Sequence, residues 1–120
     1  MNNEMYTLEP RYDSRASFYD KAKVFIKEDS ICYNELLYSY DTLVAIYIKD
    51  KMGTLEEFSY LGKYSQTTTR HQKEFFKQKG LSDKQIKELM KKGVLETRDY
   101  TKYLEKLTQI QSTFDIKESE

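Results

Sequence analysis

Residues 31–49 read ICYNELLYSYDTLVAIYIK, a strongly β-prone stretch in a chain of 120 residues. Apolar, β-branched and aromatic side chains fill two runs, and the dipeptide Asp41-Thr42 separates them. Two such runs on either side of a short polar break predict a β-hairpin with its turn at that dipeptide. We therefore expect an antiparallel sheet built around residues 31–49.

Strand patterns flank this hairpin on both sides. Upstream, residues 18–27 alternate between an apolar set and a mostly charged set, namely Phe18, Ala22, Val24 and Ile26 against Tyr19, Lys21, Lys23, Phe25 and Lys27. Alternation with period two is typical of a strand with one buried face. Downstream, residues 58–61 predict a last strand. The segments together predict an antiparallel meander of three to four strands over residues 17–64.

The pattern becomes helical after this sheet. Capping-box spacing and helix-ending glycines divide the rest of the chain: Thr69 with Gln72, Gly80, Ser82 with Gln85, and Gly93. These signals predict helices over 67–79 and 83–92. A third helix is predicted over 97–114 from its apolar stripe, which comprises Tyr100, Tyr103, Leu104, Leu107, Ile110 and Phe114.

The order of these elements predicts the fold class. Strands come first and helices follow without βαβ alternation, which is typical of an α+β domain. We expect one such domain over residues 15–116. The polar residues 1–14 are expected to form a loose N-terminal arm, and residues 117–120 a frayed tail.

The composition excludes several classes of protein. The chain has one Cys and one His, which precludes an intrachain disulfide and a Cys-based metal cluster. No segment approaches the roughly 18–20 apolar residues of a transmembrane helix, and no catalytic motif or Gly-rich phosphate loop is recognisable. We expect a soluble cytoplasmic protein that is not an enzyme, binds no metal and needs no cofactor.

The charge is balanced in total but not along the chain. Twenty Lys and Arg residues match twenty Asp and Glu residues. Residues 63–93, however, hold nine basic and three acidic side chains, and the flanking segments 1–62 and 94–120 are acidic. A basic segment between acidic ones indicates a localised surface rather than a uniformly basic protein.

The basic segment contains the first candidate site. Hydroxyl residues before cations at a helix N-terminus favour an anion such as a phosphate, because free backbone N–H groups and the helix dipole point there. The candidate residues are Thr67, Thr68, Thr69, Arg70, His71, Lys73 and Lys77. In the alternative interpretation the threonines only cap the helix, His71 packs beside Phe75, and the lysines form a solvated face.

Three tyrosines form the second candidate site. Tyr38, Tyr40 and Tyr47 lie in the predicted hairpin. Tyr is enriched at binding hot spots, so these residues could form a surface for a partner protein. In the alternative interpretation they line the edge of the core.

Three motifs resemble those of a known family: SFYxKA at 17–22, LYSYDTxVA at 37–45, and YSxTTxRHxxEFxxQ at 64–78. The family consists of small uncharacterised proteins encoded by bacteriophages, plasmids and related mobile elements of bacteria. The resemblance covers about residues 17–80, and Asp20 stands where a small residue such as Gly is expected. Because the family is a domain of unknown function, the resemblance implies a setting in a bacterial host cell and no activity.

These observations predict a non-catalytic binding or regulatory protein. The first hypothesis is that it binds a host protein, for example as a counter-defence inhibitor. The alternative is nucleic-acid binding through residues 63–93, with cations on phosphates. An exposed strand edge or the last helix could each support a homodimer.

Overall fold

The structure is a computed structural model that describes residues 2–98. These residues form six strands and two helices: β1 (Asn2–Thr7), β2 (Ala22–Glu28), β3 (Cys32–Ser39), β4 (Thr42–Asp50), β5 (Glu56–Tyr60), α1 (Gln66–Gln78), α2 (Asp83–Lys92) and β6 (Val94–Glu96). The strands form one antiparallel sheet in chain order, β1-β2-β3-β4-β5-β6. The predicted α+β class and antiparallel meander are confirmed, but the sheet has six strands rather than three to four.

The central hairpin forms between β3 and β4, and its loop is one residue earlier than predicted. Tyr40 and Asp41 make the turn, and Thr42 already belongs to β4. Tyr40 has a φ of 58°, the left-handed conformation that two-residue hairpin loops require. Its N–H donates to the carbonyl oxygen of Lys21 at 2.7 Å, so this turn is hydrogen-bonded to the start of β2.

A second tight turn explains why β2 starts at Ala22 rather than near residue 18. Tyr19 and Asp20 have φ values of 53° and 59°, and the N–H of Lys21 donates to the carbonyl oxygen of Phe18 at 3.0 Å. Asp tolerates the left-handed region better than most residues, although Gly adopts it most readily. This left-handed conformation is the physical reason why a small residue such as Gly is expected at position 20.

The N-terminal segment is not the predicted loose arm. Residues 2–7 pair along β2 as an edge strand, and Tyr6 lies opposite Val24. Leu8 continues the pairing with an N–H···O bond of 2.8 Å to Ala22 and is 1% exposed. The prediction was wrong because main-chain hydrogen bonds hold this polar strand, together with the side chains of Tyr6 and Leu8. Such contacts leave no periodic pattern in the sequence.

The C-terminal part of the described chain also differs from the prediction. Gly93 is followed by the short strand β6, in which Leu95 lies opposite Phe58 of β5. The N–H of Thr97 donates to the carbonyl oxygen of Glu56 at 3.0 Å, which extends the strand pairing to the position where a helix was expected to start. The remainder of the predicted third helix and the tail at 117–120 lie outside the described residues.

Side chains in register divide the sheet into two faces. On the core face, Tyr6, Val24, Leu37 and Ala45 lie opposite one another across four strands. Both helices cover this face with their buried side chains, which include Phe75, Phe76, Ile86 and Leu89. Val24, Leu37 and Ala45 are 0% exposed, so the core lies between this face and the helices.

Helix α1 begins at a different cap from the predicted one. Ser65 is the N-cap, and its Oγ accepts a hydrogen bond from the N–H of Thr68 at 3.1 Å. The predicted pair Thr69–Gln72 is not the capping box. Gln72 is buried instead, and its Nε2 donates to the carbonyl oxygen of Val44 at 2.9 Å.

Helix α2 has the predicted capping box. Ser82 Oγ accepts from the N–H of Gln85 at 3.2 Å, and Gln85 Oε1 accepts from the N–H of Ser82 at 2.9 Å. Gly93 ends the helix with a φ of 88°, and its N–H donates to the carbonyl oxygen of Leu89 at 2.7 Å. A left-handed residue at this position is easiest for Gly, as the sequence indicates.

Candidate functional site

The first turns of α1 divide the predicted anion site between the core and the surface. Thr68 is 5% exposed and His71 is 0% exposed, and both take part in contacts with the sheet. Thr67 and Lys73 are exposed. The seven predicted residues therefore do not form one site, because helical geometry turns residues three apart to one side and those between them to another.

The buried members belong to a chain of polar side chains between α1 and β3. Ser65 Oγ lies 3.3 Å from Thr68 Oγ1, which lies 2.9 Å from Ser39 Oγ. Ser39 Oγ in turn lies 2.8 Å from His71 Nδ1. Buried polar groups need such partners, so this chain fixes the position of α1 over the hairpin.

Burial favours the neutral form of His71. Burial lowers the pKa of its imidazole below the usual 6.5, against a smaller opposite effect of Asp13. The ring of Phe18 lies edge-on at 4.6 Å between centroids, and Nε2 has no hydrogen-bond partner within residues 2–98. A hydroxyl beside a neutral imidazole has the elements of a nucleophile and base, but Ser39 is only 2% exposed. The arrangement is that of an interior polar cluster.

Four of the predicted residues line a cationic cleft of about 490 Å³ beside α1, namely Thr69, Arg70, Lys73 and Lys77. Thr67 lies outside it, in a neighbouring cleft with Arg70 and His71. The positive side chains of the cationic cleft are Lys63, Arg70, Lys73 and Lys77. Two of them have carboxylate partners, since Arg70 lies 3.1 Å from Asp13 and Lys77 lies 3.1 Å from Asp83. The cleft is thus less positive than its four cations suggest.

The remaining basic residues of segment 63–93 lie elsewhere. Lys79 lies at the edge of the core with 20% of its side chain exposed, and its ammonium pairs with the buried Glu35 and lies over the rings of Tyr47 and Phe75, 5.6 Å from each centroid. The other four are on α2 and, within the part of the chain that the structure describes, do not line the cleft: Lys84, Lys87, Lys91 and Lys92. The nine basic side chains therefore do not converge on one surface.

The second candidate surface is the side of the sheet opposite the helices, which we call the outer face. It carries the side chains of Met5, Phe25, Leu36, Tyr38, Leu43, Ile46 and Ile48. Met5, Phe25, Leu36 and Ile46 lie opposite one another across four strands and form an apolar row. Met5 is 51% exposed and Phe25 is 40% exposed, so this row is accessible at its β1–β2 end.

A cleft of about 460 Å³ lies on the outer face. Phe25 and Tyr38 meet edge to face in its wall, 5.2 Å between ring centroids. Leu36 and Tyr40 complete the apolar lining, and the polar lining consists of Lys23, Lys27 and Asp41. An apolar centre with a charged rim is the usual construction of a binding surface.

The structure brings two of the three predicted tyrosines together. Tyr38 and Tyr40 line the cleft of the outer face, but Tyr47 is on the core face and 6% exposed. The hydroxyl of Tyr47 donates to Glu56 Oε2 at 2.6 Å, and burial together with this carboxylate raises its pKa. Tyr47 therefore belongs to the core, because alternate residues of β4 point to opposite faces.

Sequence reasoning missed two features. The first is the apolar row of the outer face, because Phe25 was assigned to the charged face of its strand. An aromatic residue between Lys23 and Lys27 was the signal that this face is partly apolar. Glu35 lies within an apolar run and is 1% exposed, with Oε1 accepting from the Tyr6 hydroxyl at 2.5 Å. A charge inside a buried strand indicates a buried ion pair, but the sequence does not show that Lys79 is its partner.

The comparisons with known proteins give a family and no activity. The chain belongs to the Family of unknown function (DUF8033), whose model matches residues 6–92. The comparisons with curated proteins and with solved structures find no match. Over residues 2–98, neither helix is long and apolar enough to cross a membrane, and no three His, Cys, Asp or Glu residues form a group that could hold a metal ion.

Proposed function

We propose that this protein is a non-catalytic binding protein that takes a partner protein on its outer face. The observation that carries the proposal is the accessible apolar row of Met5, Phe25, Leu36 and Ile46 beside the aromatic cleft. Exposed apolar side chains that are contiguous, rather than scattered singly, mark interaction sites on soluble proteins.

The lining of the cleft defines the chemistry of the partner. An apolar or aromatic side chain of the partner would pack in the cleft against the paired rings of Phe25 and Tyr38, where it would be desolvated. Lys23 and Lys27 stand on the same side of β2 and would meet carboxylates on the partner. A segment with one apolar anchor and nearby acidic residues fits this surface best.

The resemblance to mobile-element proteins suggests in which cell the protein acts and what kind of partner it binds. In this view the protein acts in the cytoplasm of a bacterial host, and its partner is a host protein such as a component of a defence system. Its effect would come from occupying that partner rather than from chemistry on it.

The proposal is tested by comparing two apolar-to-charged substitutions. Tagged wild type, Phe25→Lys and Met52→Lys would each be used to capture proteins from a bacterial host lysate. Met52 is the matched control, because it is 77% exposed in the turn after β4 and lies off the outer face. A partner that is stoichiometric with wild type and with Met52→Lys, and lost with Phe25→Lys, would support the proposal.

Two outcomes would contradict it. One is the absence of a stoichiometric partner for the wild type, and the other is a partner that Phe25→Lys retains. Circular dichroism melting of each variant ensures that a lost partner does not reflect a lost fold. Phe25 is already 40% exposed, so its replacement should leave the sheet intact.

Nucleic-acid binding is a second candidate, favoured by the cationic cleft. Lys63 and Lys73 lie in the cleft with Arg70 and Lys77 and beside the first turn of α1. Phosphates could be bound there through charge and through backbone N–H groups. It ranks second because Asp13 and Asp83 neutralise part of this charge, and because Lys79 is paired with Glu35 away from the cleft.

Titration with labelled DNA and RNA at two salt concentrations tests this candidate. If phosphates bind in the cleft, affinity falls steeply with salt, and Lys63→Ala with Lys73→Ala flattens that dependence. The matched control is Lys84→Ala with Lys87→Ala on α2, which removes the same charge outside the cleft. Equal effects of the two double variants, or no binding at low salt, would count against the candidate.

A further inference from the structure

Another cleft, of about 350 Å³, lies where the turn before β2, the β3–β4 turn and the start of α1 meet. We call it the imidazole cleft, because His71 is part of its lining. Each of the three sequence motifs at 17–22, 37–45 and 64–78 contributes side chains to it. Its volume is within the range of small-molecule sites, roughly 300–1,000 Å³.

The charged side chains of the imidazole cleft are all positive. Arg15, Lys21 and Arg70 line it, and no carboxylate in the described part of the chain does. The cationic cleft differs, because Asp13 and Glu74 are in its wall. Arg70 is paired with Asp13, but over the described residues neither Arg15 nor Lys21 has an ion-pair partner. Cations without acids in the same wall favour an anionic ligand.

The inner end of the imidazole cleft contains a polar atom without a partner. His71 lines the cleft although it is 0% exposed, so its imidazole lies at the closed end. Ser39 Oγ occupies Nδ1 at 2.8 Å, whereas Nε2 is buried and has no hydrogen-bond partner within residues 2–98. An unpaired buried polar atom is costly, so Nε2 points to a ligand that supplies its partner.

The hydroxyl chain behind His71 determines what this partner must be. Ser65 Oγ donates to Thr68 Oγ1, which leaves the Thr68 hydroxyl to donate to Ser39 Oγ. The Ser39 hydroxyl then donates to Nδ1 of His71, and the proton of the neutral imidazole is on Nε2. Nε2 is therefore a donor, and its partner is an acceptor such as a phosphate oxygen.

Two tyrosine rings form the rim of the imidazole cleft. Tyr19 is 75% exposed and Tyr40 is 51% exposed, and the Tyr40 ring lies 6.2 Å from the imidazole of His71 between centroids. Their φ values of 53° and 58° are unfavourable for large side chains and persist only where the surrounding structure holds them. Exposed aromatic rings beside cations provide stacking surfaces for nucleic-acid bases.

From these observations we infer that the imidazole cleft binds a free mononucleotide. Its phosphate lies among the three cations and accepts from Nε2 of His71, and its base lies against Tyr19 and Tyr40. The inner end is closed, so a continuous strand does not pass through. The inference is independent of the proposed function, because the outer face shares only Tyr40 with this cleft.

Isothermal titration calorimetry of the full chain tests the inference. AMP, GMP, CMP and UMP would each be compared with the matching nucleoside and with inorganic phosphate, at about 0.15 M salt. We expect at least one mononucleotide to bind. Its nucleoside and inorganic phosphate should each bind about tenfold or more weakly, because the first lacks the charged group and the second lacks the ring.

Two matched double variants locate the site. Arg15→Ala with Lys21→Ala should weaken mononucleotide binding by about tenfold or more, because both side chains are exposed cations of the imidazole cleft. Lys63→Ala with Lys73→Ala removes the same charge from the cationic cleft and should change affinity by less than about twofold. Equal losses in the two variants would overturn the inference.

The imidazole provides a readout that does not depend on any variant. His71 is the only histidine of the chain, so in untagged protein its ring signals in NMR spectra are assigned directly. On saturation with the mononucleotide, the ¹⁵N signal of Nε2 should shift and its proton should exchange more slowly with water. An unchanged Nε2 signal at saturation, or the absence of binding by all four mononucleotides, would overturn the inference.

Two further arms separate the mononucleotide from related ligands. Inorganic phosphate that binds as tightly as the mononucleotide would overturn the inference, because the tyrosine rings would then contribute nothing. Tighter binding of a 5′-phosphorylated tetranucleotide would also overturn it and would assign the cleft to the end of a strand. Phe25→Lys should bind the mononucleotide like wild type, and no arm needs a partner protein, so failure of this inference is distinguishable from failure of the proposed function.

Discussion

The two faces of the sheet are built from adjacent residues of the same strands, yet they differ in what they contribute. In β2, Val24 is 0% exposed and its neighbour Phe25 is 40% exposed. In β3, Leu37 is 0% exposed while Leu36 lines the open cleft. Similar side chains are thus buried on one face and accessible to solvent on the other. Hydrophobicity alone therefore does not identify a core residue.

The charged groups differ between the faces in the same way. On the core face, Glu35 is buried and has both Lys79 and Tyr6 as partners. On the outer face, Lys23 and Lys27 line an open cleft where water solvates them. Loss of a partner should be costly only where the remaining charge stays buried.

The largest expected effect concerns the buried ion pair. Lys79→Met leaves the carboxylate of Glu35 buried without its counter-charge, and should lower the free energy of unfolding by about 3–5 kcal/mol. Urea denaturation gives this quantity. Arg70→Met is the control, since it breaks the more exposed pair with Asp13 and should cost about 1 kcal/mol or less.

The double variant Glu35→Leu with Lys79→Met sharpens this prediction. Removal of both charges should recover much of the stability that Lys79→Met loses, because no unpaired buried charge remains. If Lys79→Met costs no more than Arg70→Met, the two faces do not differ in their electrostatics as described.

Truncation of neighbouring leucines compares the faces directly. Leu37→Ala should lower the free energy of unfolding by about 2–5 kcal/mol, because it leaves a cavity between the sheet and the helices. Leu36→Ala removes the same atoms from the outer face and should cost about 1 kcal/mol or less. Equal costs in urea denaturation would show that the outer face is packed as tightly as the core.

The buried imidazole predicts a pH dependence of stability. His71 has a lowered pKa in the folded state, so the unfolded chain binds its proton more readily. Its contribution to stability is complete above pH 6.5 and is lost as the pH falls through the lower pKa of the folded state, by at most about 1.4 kcal/mol per pH unit. Urea denaturation between about pH 5 and 8 measures this slope.

His71→Gln is the control for that slope. The variant can be less stable at every pH, but it should lose the part of the pH dependence that His71 causes. An unchanged slope would assign the pH dependence to the carboxylates instead.

The smallest effect concerns two tyrosine hydroxyls. Tyr47→Phe removes the hydrogen bond to Glu56 on the core face and should cost about 1 kcal/mol. Tyr38→Phe removes a hydroxyl from the cleft of the outer face and should change the free energy of unfolding by less than about 0.5 kcal/mol. Thermal melting of the two variants side by side measures the difference, and a larger loss for Tyr38→Phe would reverse the assignment of faces.

Local signals account for the parts of the fold that were predicted from the sequence. The Ser82–Gln85 pair and Gly93 are within a few residues of the ends that they define, so α2 has the predicted limits. The two runs of residues 31–49 form β3 and β4 for the same reason. The edge strands β1 and β6 were missed, because main-chain pairing with a distant strand stabilises them and leaves no periodic pattern.

The candidate sites were predictable only in part. The sequence indicated the region of Arg70 and Lys73 and the pair Tyr38 and Tyr40, which the structure brings to open clefts. It did not indicate that His71 would be buried against Ser39, since those residues are far apart in the chain. Partners across such distances depend on strand register, which single-sequence patterns do not specify.

The sequence by itself determined the α+β class, the antiparallel hairpin at its centre and the ends of α2, because hydrophobic periodicity and capping act over a few residues. Only the tertiary structure decided which face of the sheet the helices cover. That choice buried Val24 and Leu37, left Phe25 accessible, and placed Lys79 in an ion pair with the buried Glu35. The physical reason is that burial depends on what packs above a residue, and that neighbour comes from a distant part of the chain.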